Sequence, residues 1–478
     1  MTEIYFTVGF LLAAYAIVAN DSIQTLGTFL ASNAKRPWWF LALFTSSIMV
    51  GTIVWGNFFY DPGFDDPDVE VLTVAEAEAA YGAASTALDE AFVTAETVAD
   101  VLAAQTDLRV ADKMRALAVA EAAGRAGDVS IMAHEVVLLE EQKELQVAEF
   151  MLSQAEDEGD RKQAQRVVDG RQMRVEIATR NVAHATALAQ LSALEAQTDA
   201  TAEQLAAAEA EIAATAPPKG DPTYGRLNRF PAFEEIHFNW YHLLGPIAIL
   251  LLTRIGFPVS TSFLVLVMFS ASALGGMLEK SLMGYGVAFL CGLLIYVAVM
   301  RIFEKKWAAN PYGENPPVHW IILQWISTGW LWHNWLKQDL ANIFVYLPRP
   351  VEPLWLIAAL AWMIAIQAYI FRSKGGKIQQ VVLQKSNTTD IRAATIVDAI
   401  YGTVLFYFKN LNDLPMSTTW VFIGLLAGRE LGLRLMSQPR TPGKAGILIL
   451  KDLGKASVGL ILSVGIALSL PWLAAQFG

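Results

Sequence analysis

The chain has 478 residues, 54% of them hydrophobic, 11% aromatic and only 17% charged, with a formal net charge of −11. This is the composition of a membrane protein that carries a soluble portion, and the one cysteine, Cys291, excludes an intrachain disulfide. The acidity is local: residues 61–235 hold 34 acids against 14 Lys plus Arg, which argues against the clustered basic face that nucleic-acid binding needs.

The N-terminal "MTEIYF" lacks a basic n-region and a small-residue cleavage site, so it reads as the start of a first span rather than a signal peptide. Apolar runs near the ~20 residues that cross a bilayer fall at 4–32, 38–59, 240–256, 259–277, 282–300, 319–346, 353–371, 391–409, 415–435 and 455–475. The first run contains "IVANDSIQTLGTFLAS", which is rich in hydrogen-bonding groups where lipid-facing helix would carry Leu and Val. An ionisable group in a span costs about 3 kcal/mol on insertion scales, so Asp21 reads as functional.

Between the second and third runs lies an Ala/Glu-rich segment whose apolar residues recur at threes and fours. It predicts long amphipathic helices folded back as a hairpin, coiled coil or bundle, with breaks near 122–128 and 157–160. The predicted organisation is therefore 1–60 and 236–306 as a first membrane half, 61–235 as an extramembrane insertion, and 307–478 as a second half.

Two motifs recur. "PVSTSF" at Pro258 and "PMSTTW" at Pro415 each start a new helix directly after an apolar span, with free first-turn amides among three hydroxyls. Free N–H groups, a positive helix end and hydroxyl donors make an anion site. "VANDSIQTLGTFL" has a fainter partner in "LKQDLANIFVYLP", which matches Asp21 with Asp339 and Gln24 with Asn342. Five runs per half is odd, so the second half enters from the opposite side, the inverted-repeat design of secondary transporters. Lys and Arg asymmetry puts fourteen cations on the cytoplasmic side and leaves Lys280, Arg349 and Lys409 in the outer loops. Both termini and the insertion are then expected outside a cell membrane crossed several times.

The paired Ala-Asn-Asp and Pro-x-Ser-Thr motifs resemble those of the inorganic phosphate transporter (PiT) family, of which this chain looks like a divergent member with a large helical insertion. The resemblance covers about 300 membrane residues. It implies an all-α membrane protein of about ten transmembrane helices, in two inverted five-helix repeats with broken helices. It implies cation-coupled symport of an inorganic oxyanion, with phosphate the first expectation and sulfate or another small anion the alternative. Ser260, Thr261, Ser262, Ser417, Thr418 and Thr419, with Asn20 and Gln24, are the candidate anion ligands. Asp21, Asp339, Asn342 and Thr25 are the candidate ligands for the coupling cation, Na+ or H+. The chain departs from the family pattern at Gln338, where an Asn is usual, and at Phe263 and Trp420, where a His usually follows each triplet.

Asp398, inside the eighth run, is open to either an ion-path or a structural reading, and Arg254 to facing the anion or the interface. There is no Gly-x-x-x-x-Gly-Lys-Ser/Thr loop, nucleophile elbow or His metal spacing, so neither an enzyme nor a cofactor is expected. The alternative function class is a non-transporting scaffold or receptor that acts through the insertion, by self-association or by binding a protein partner.

Overall fold

The structure is a computed structural model and describes the chain apart from residues 1, 61–66, 68, 96, 156–157, 198–199, 217–219, 229, 232, 237, 255–258, 271–272, 310–315, 350, 374–390, 412–413, 438–460, 463, 467 and 470–478. In chain order the helices are α1 (Thr2–Ser32), α2 (Trp38–Phe59), α3 (Val74–Thr94), α4 (Val98–Ala122), α5 (Ala126–Gln154), α6 (Glu158–Glu195) and α7 (Ala202–Thr215). There follow α8 (Leu244–Arg254), α9 (Thr261–Leu266), α10 (Leu274–Ala309), α11 (Val318–Asp339), α12 (Ala341–Phe344), α13 (Pro353–Arg372), α14 (Ile391–Leu411) and α15 (Thr418–Ser437). The chain divides into two compact units: Met1–Tyr60 with Gly220–Phe233 and Phe238–Gly478, and Asp61–Lys219 with Glu234–His237. Gly220–Phe233, expected as the end of the insertion, thus belongs with the apolar helices.

The second unit is an up-and-down array in which α3 packs on α4, α4 on α5, α5 on α6 and α6 on α7. The break between α4 and α5, Ala123–Arg125, falls where the amphipathic pattern lapses, and α5 ends at Gln154. Gly124, at φ +68°, supplies the left-handed residue that ends α4. Three helices begin with reciprocal Thr caps: Thr73 with Glu76, Thr97 with Asp100 and Thr201 with Gln204. Ion pairs such as Lys113–Glu135 (2.8 Å) and Arg171–Glu141 (3.4 Å) stitch neighbouring helices at partly exposed positions, where each adds little. Thr97→Ala removes the two hydrogen bonds of the Thr97 hydroxyl, accepted from the Asp100 amide (3.3 Å) and donated to the Asp100 carboxylate (2.7 Å), and the expected loss of about 1 kcal/mol would show as about fivefold faster amide exchange in the first turn of α4.

In the first unit, five of the described helices are long and apolar enough to cross a membrane: α1 (Ile4–Asp21), α2, α10 (Leu274–Ala298), α13 and α14. Two of the expected runs fold differently. The stretches 240–256 and 259–277 yield α8, of 11 residues, and α9, of 6, too short to span at 1.5 Å per residue. Of the tenth expected run, 455–475, only 461–462, 464–466 and 468–469 are among the described residues. α1 is also unbroken at Asn20–Asp21. No Gly or Pro occurs between Gly9 and Gly27, and the polar side chains bond back onto the helix instead, as Thr25 Oγ1 does to the Asp21 carbonyl (2.8 Å). α11 does give way at Asp339, where Leu340 leads into the single turn of α12.

α1 packs on α8, α11 and α13, and α2 on α11 and α13; α14 joins α11 to α10, and α10 runs along α15. Trp332 and Trp335 stack in the core (centroids 4.7 Å apart, planes at 3°), whereas Trp38 and Trp39 are exposed. The α10–α15 contact runs along a glycine row at four-residue spacing. A Cβ on Gly424 would meet the Tyr285 carbonyl, and one on Gly428 the Phe289 carbonyl. Small residues let helix backbones approach closely where lipid offers no hydrophobic drive.

Candidate functional site

α1 presents Asn20 and Asp21 to the interior, 3% and 1% exposed. Asn20 Nδ2 donates to Asp21 Oδ1 (2.6 Å), and the Thr253 hydroxyl at the end of α8 donates to Asn20 Oδ1 (2.9 Å). The hydroxyl of Thr261, the first residue of α9, donates to Asp21 Oδ2 (3.1 Å). The next residue, Ser262, places its Oγ 3.5 Å from Asp339 Oδ1 and 3.1 Å from the Met416 carbonyl. Its one proton serves the nearer carbonyl, while Ser262 Oγ accepts from Asn342 Nδ2 (3.0 Å). Asn342 Nδ2 also reaches Asp339 Oδ1 (2.8 Å). Asp21 and Asp339, 318 positions apart in the chain, therefore face adjacent residues of one short helix, close enough for their charges to interact.

The second hydroxyl motif closes against the first. Thr419 Oγ1 donates to the Val259 carbonyl (3.0 Å), the Ser417 amide to Ser281 Oγ (2.8 Å), and the Tyr401 hydroxyl to the Thr418 carbonyl (2.9 Å). Phe263 and Trp420, the aromatic residues that follow the two triplets, meet edge to face at 5.6 Å and 78°. All six triplet residues are buried.

Not every candidate points into this cluster. Ser260 Oγ caps α9 by accepting the Phe263 amide (3.3 Å), and the Thr25 hydroxyl proton is spent on its own helix. Gln24 lies on α1, its side chain outside the described residues. Arg254 is exposed. Asp398 stands apart: its two oxygens accept from Thr28 of α1 and Thr328 of α11, each at 2.6 Å, so it ties α14 to both.

Three buried oxygens at the centre have no hydrogen-bond partner among the described residues: Asp339 Oδ2, Asn342 Oδ1 and Ser417 Oγ. Leaving such a group unpaired costs about 1–3 kcal/mol. The first two are acceptors only, which suits a hard cation; Ser417, just before the first turn of α15, can donate to an anion.

No family model matches the chain, and no curated protein matches it. A solved structure of a sodium-dependent phosphate transporter aligns over 99% of this chain and 99% of its own, with 13% identity and a TM-score of 0.34. At that level of similarity the functional reading rests on the site's own geometry.

Sequence reasoning missed two residues beside this cluster, Arg226 and Lys280. Arg226, in the stretch "DPTYGRLNRF" of the expected insertion, is fully buried; its guanidinium reaches Gln338 Oε1 and the Leu414 carbonyl (2.8 Å). Lys280, expected in an outer loop, lies within α10, is 1% exposed and donates to the same carbonyl (2.8 Å). Lys409, expected likewise, is buried within α14. No periodicity announces them; only the Asp-Pro-x-x-Gly turn ahead of Arg226 hints that the chain doubles back there.

Proposed function

We propose that the protein is a secondary transporter that carries an inorganic oxyanion, phosphate first, together with sodium. The observation that supports this most is the bridging of Asp21 and Asp339 by Thr261 and Ser262, which gathers two buried acids and both hydroxyl motifs into one place. In this reading Asp21, Asp339 and Asn342 supply cation ligands, while Ser417–Thr419 and the start of α15 hold the anion. An anion and its counterions sharing a pocket offset one another's desolvation.

Coupling follows from the membrane potential. Bringing one negative charge inward against 100 mV costs about 2.3 kcal/mol, so a doubly charged oxyanion costs about 4.6 kcal/mol and needs two co-transported cations for neutrality. Sodium fits the oxygen ligands, and Phe263 and Trp420 put aromatic rings where a titrating His would favour protons. The ten-span count, the inverted repeat, and the outside placement of termini and insertion belong to the same proposal, with the two halves rocking about the pocket.

The test is uptake into proteoliposomes of labelled phosphate or sulfate under an inward sodium or proton gradient. Phosphate accumulation driven by sodium is expected. Accumulation of sulfate alone would change the substrate, and proton-driven uptake the coupling ion. No uptake of any oxyanion, with a partner protein retained by the insertion, would replace transport by a scaffold role.

A further inference from the structure

A groove of about 480 Å³ opens between α2 and α11, where Phe40, Ile322 and Ile326 are exposed. Along α2 its wall is Phe40, Phe44 and Ile48, at the four-residue spacing of one helix face; along α11 it is Ile322, Trp325 and Gly329. Gly329 keeps the floor open, since a Cβ there would already come within 3.3 Å of Ile48 Cδ1 and 3.5 Å of Phe44 Cζ. From Phe40 to Ile48 the wall runs about 12 Å along the helix axis, close to the depth of hydrocarbon in one leaflet, about 15 Å. Every residue that lines the groove is apolar except Arg36, at one end.

Arg36 sits in the turn between α1 and α2 and is held in one pose. Asn33, 5% exposed, donates from Nδ2 to Gln324 Oε1 (2.8 Å) and to the Phe29 carbonyl (3.0 Å). Its Oδ1 is thereby set as the acceptor for Arg36 Nε (3.1 Å) and Trp325 Nε1 (3.3 Å). The guanidinium carbon lies 5.6 Å from the centre of the Trp325 ring, within cation–π range, and that ring packs on Phe44 (4.5 Å) and Phe40 (5.3 Å). Arg36 is exposed and pairs with no carboxylate among the described residues. With Nε engaged, its two terminal nitrogens remain, and such a fork grips a phosphate through two parallel hydrogen bonds. Trp38 and Trp39, exposed at the start of α2, are the aromatic residues that favour headgroup level. The Lys and Arg asymmetry of the sequence puts this turn on the cytoplasmic side, where anionic lipids concentrate.

We propose that this groove is a binding site for one anionic phospholipid, with an acyl chain laid between α2 and α11 and the phosphate held by Arg36. An apolar trough does not suit free phosphate, and an unpaired cation at its end does not suit the apolar helix of a second copy. A lipid meets both features at once. The site shares no residue with the acid and hydroxyl cluster, so the proposal is independent of what is transported.

The experiment is native mass spectrometry of the delipidated full chain in detergent, titrated with dioleoylphosphatidylglycerol or dioleoylphosphatidylcholine. Glycerol 3-phosphate serves as a head group without chains. The first phosphatidylglycerol is expected to bind about fivefold tighter than phosphatidylcholine, the worth of one cation at an anionic surface, and glycerol 3-phosphate to leave it in place. Arg36→Gln is expected to bind the two lipids equally. Gly329→Leu, which fills the floor, is expected to weaken both at least about fivefold; if it fails to fold, the exposed Arg36→Gln carries the test. Equal affinity of the wild type for the two lipids overturns the proposal, as does a preference that survives Arg36→Gln or a folded Gly329→Leu that holds both lipids as wild type does. Displacement by glycerol 3-phosphate would make this a free-phosphate site, and a lipid-free dimer that Gly329→Leu separates would make it a contact between copies; either result also overturns the proposal.

Discussion

Asp21→Asn is expected to abolish sodium-driven phosphate uptake while leaving the protein folded. The amide has the size of the carboxylate and keeps one oxygen able to accept from Thr261 (3.1 Å in the wild type); its nitrogen replaces the acceptor of the Asn20 amide, a local loss of one hydrogen bond that leaves the packing of α1 in place. What is lost is the charge. Asp21 is buried beside Asp339, where solvent screens poorly, and a cation drawn to the pair loses a full unit of attraction. A loss of about 3 kcal/mol lowers uptake at fixed sodium at least about 100-fold. Proteoliposome uptake at matched protein loading measures this, with size-exclusion elution as the check on folding. Uptake within a few-fold of wild type would remove Asp21 from the coupling machinery.

The second large effect is structural. Gly428→Val is expected to prevent assembly of α15 on α10, because even a methyl group at that position would overlap the Phe289 carbonyl. A carbonyl on an intact helix cannot step aside as the end of a flexible side chain can, so the helices must separate along the whole glycine row. Overpacking of this kind costs about 1–3 kcal/mol or more. It also pulls the start of α15, and with it Ser417–Thr419, away from Val259. Gly428→Ala should melt below wild type and Gly428→Val should fail to yield a monodisperse protein. Gly286, where a Cβ meets nothing within 4 Å, is the control: Gly286→Ala should behave as wild type. Equal melting of Gly428→Val and wild type would show that the seam is not close-packed.

The parts of this architecture that were legible in advance are those fixed by composition and periodicity. The acidic helical array announces itself by its 3.6-residue pattern, and one of its turns lies at the Gly124 interruption. The doubled Ser-Thr motifs pointed to one another because a rare local pattern occurred twice, and the structure brings them into contact through Thr419 and Val259. Helix length was less legible. An apolar run records burial, and the residues of α9, all buried, are as apolar as a span while forming under two turns. The polar stretch of α1 looked like a break because its side chains compete for backbone, yet with no Gly or Pro they satisfied the helix instead. Arg226 was out of reach, because its role depends on a turn that returns the chain to α11 after 160 residues of insertion. Lys280 and Lys409 sit at the ends of apolar runs, where a loop is expected, but an apolar run does not end where its helix ends: α10 and α14 include them.

The most direct test of the shared pocket is equilibrium binding of labelled phosphate to the purified protein in detergent, titrated with sodium against choline. If both hydroxyl motifs and both acids serve one chamber, phosphate binding should strengthen steeply with sodium, and Asp339→Asn should flatten that dependence while the protein stays folded. Phosphate binding of equal strength in choline and sodium, unchanged by Asp339→Asn, would contradict the account.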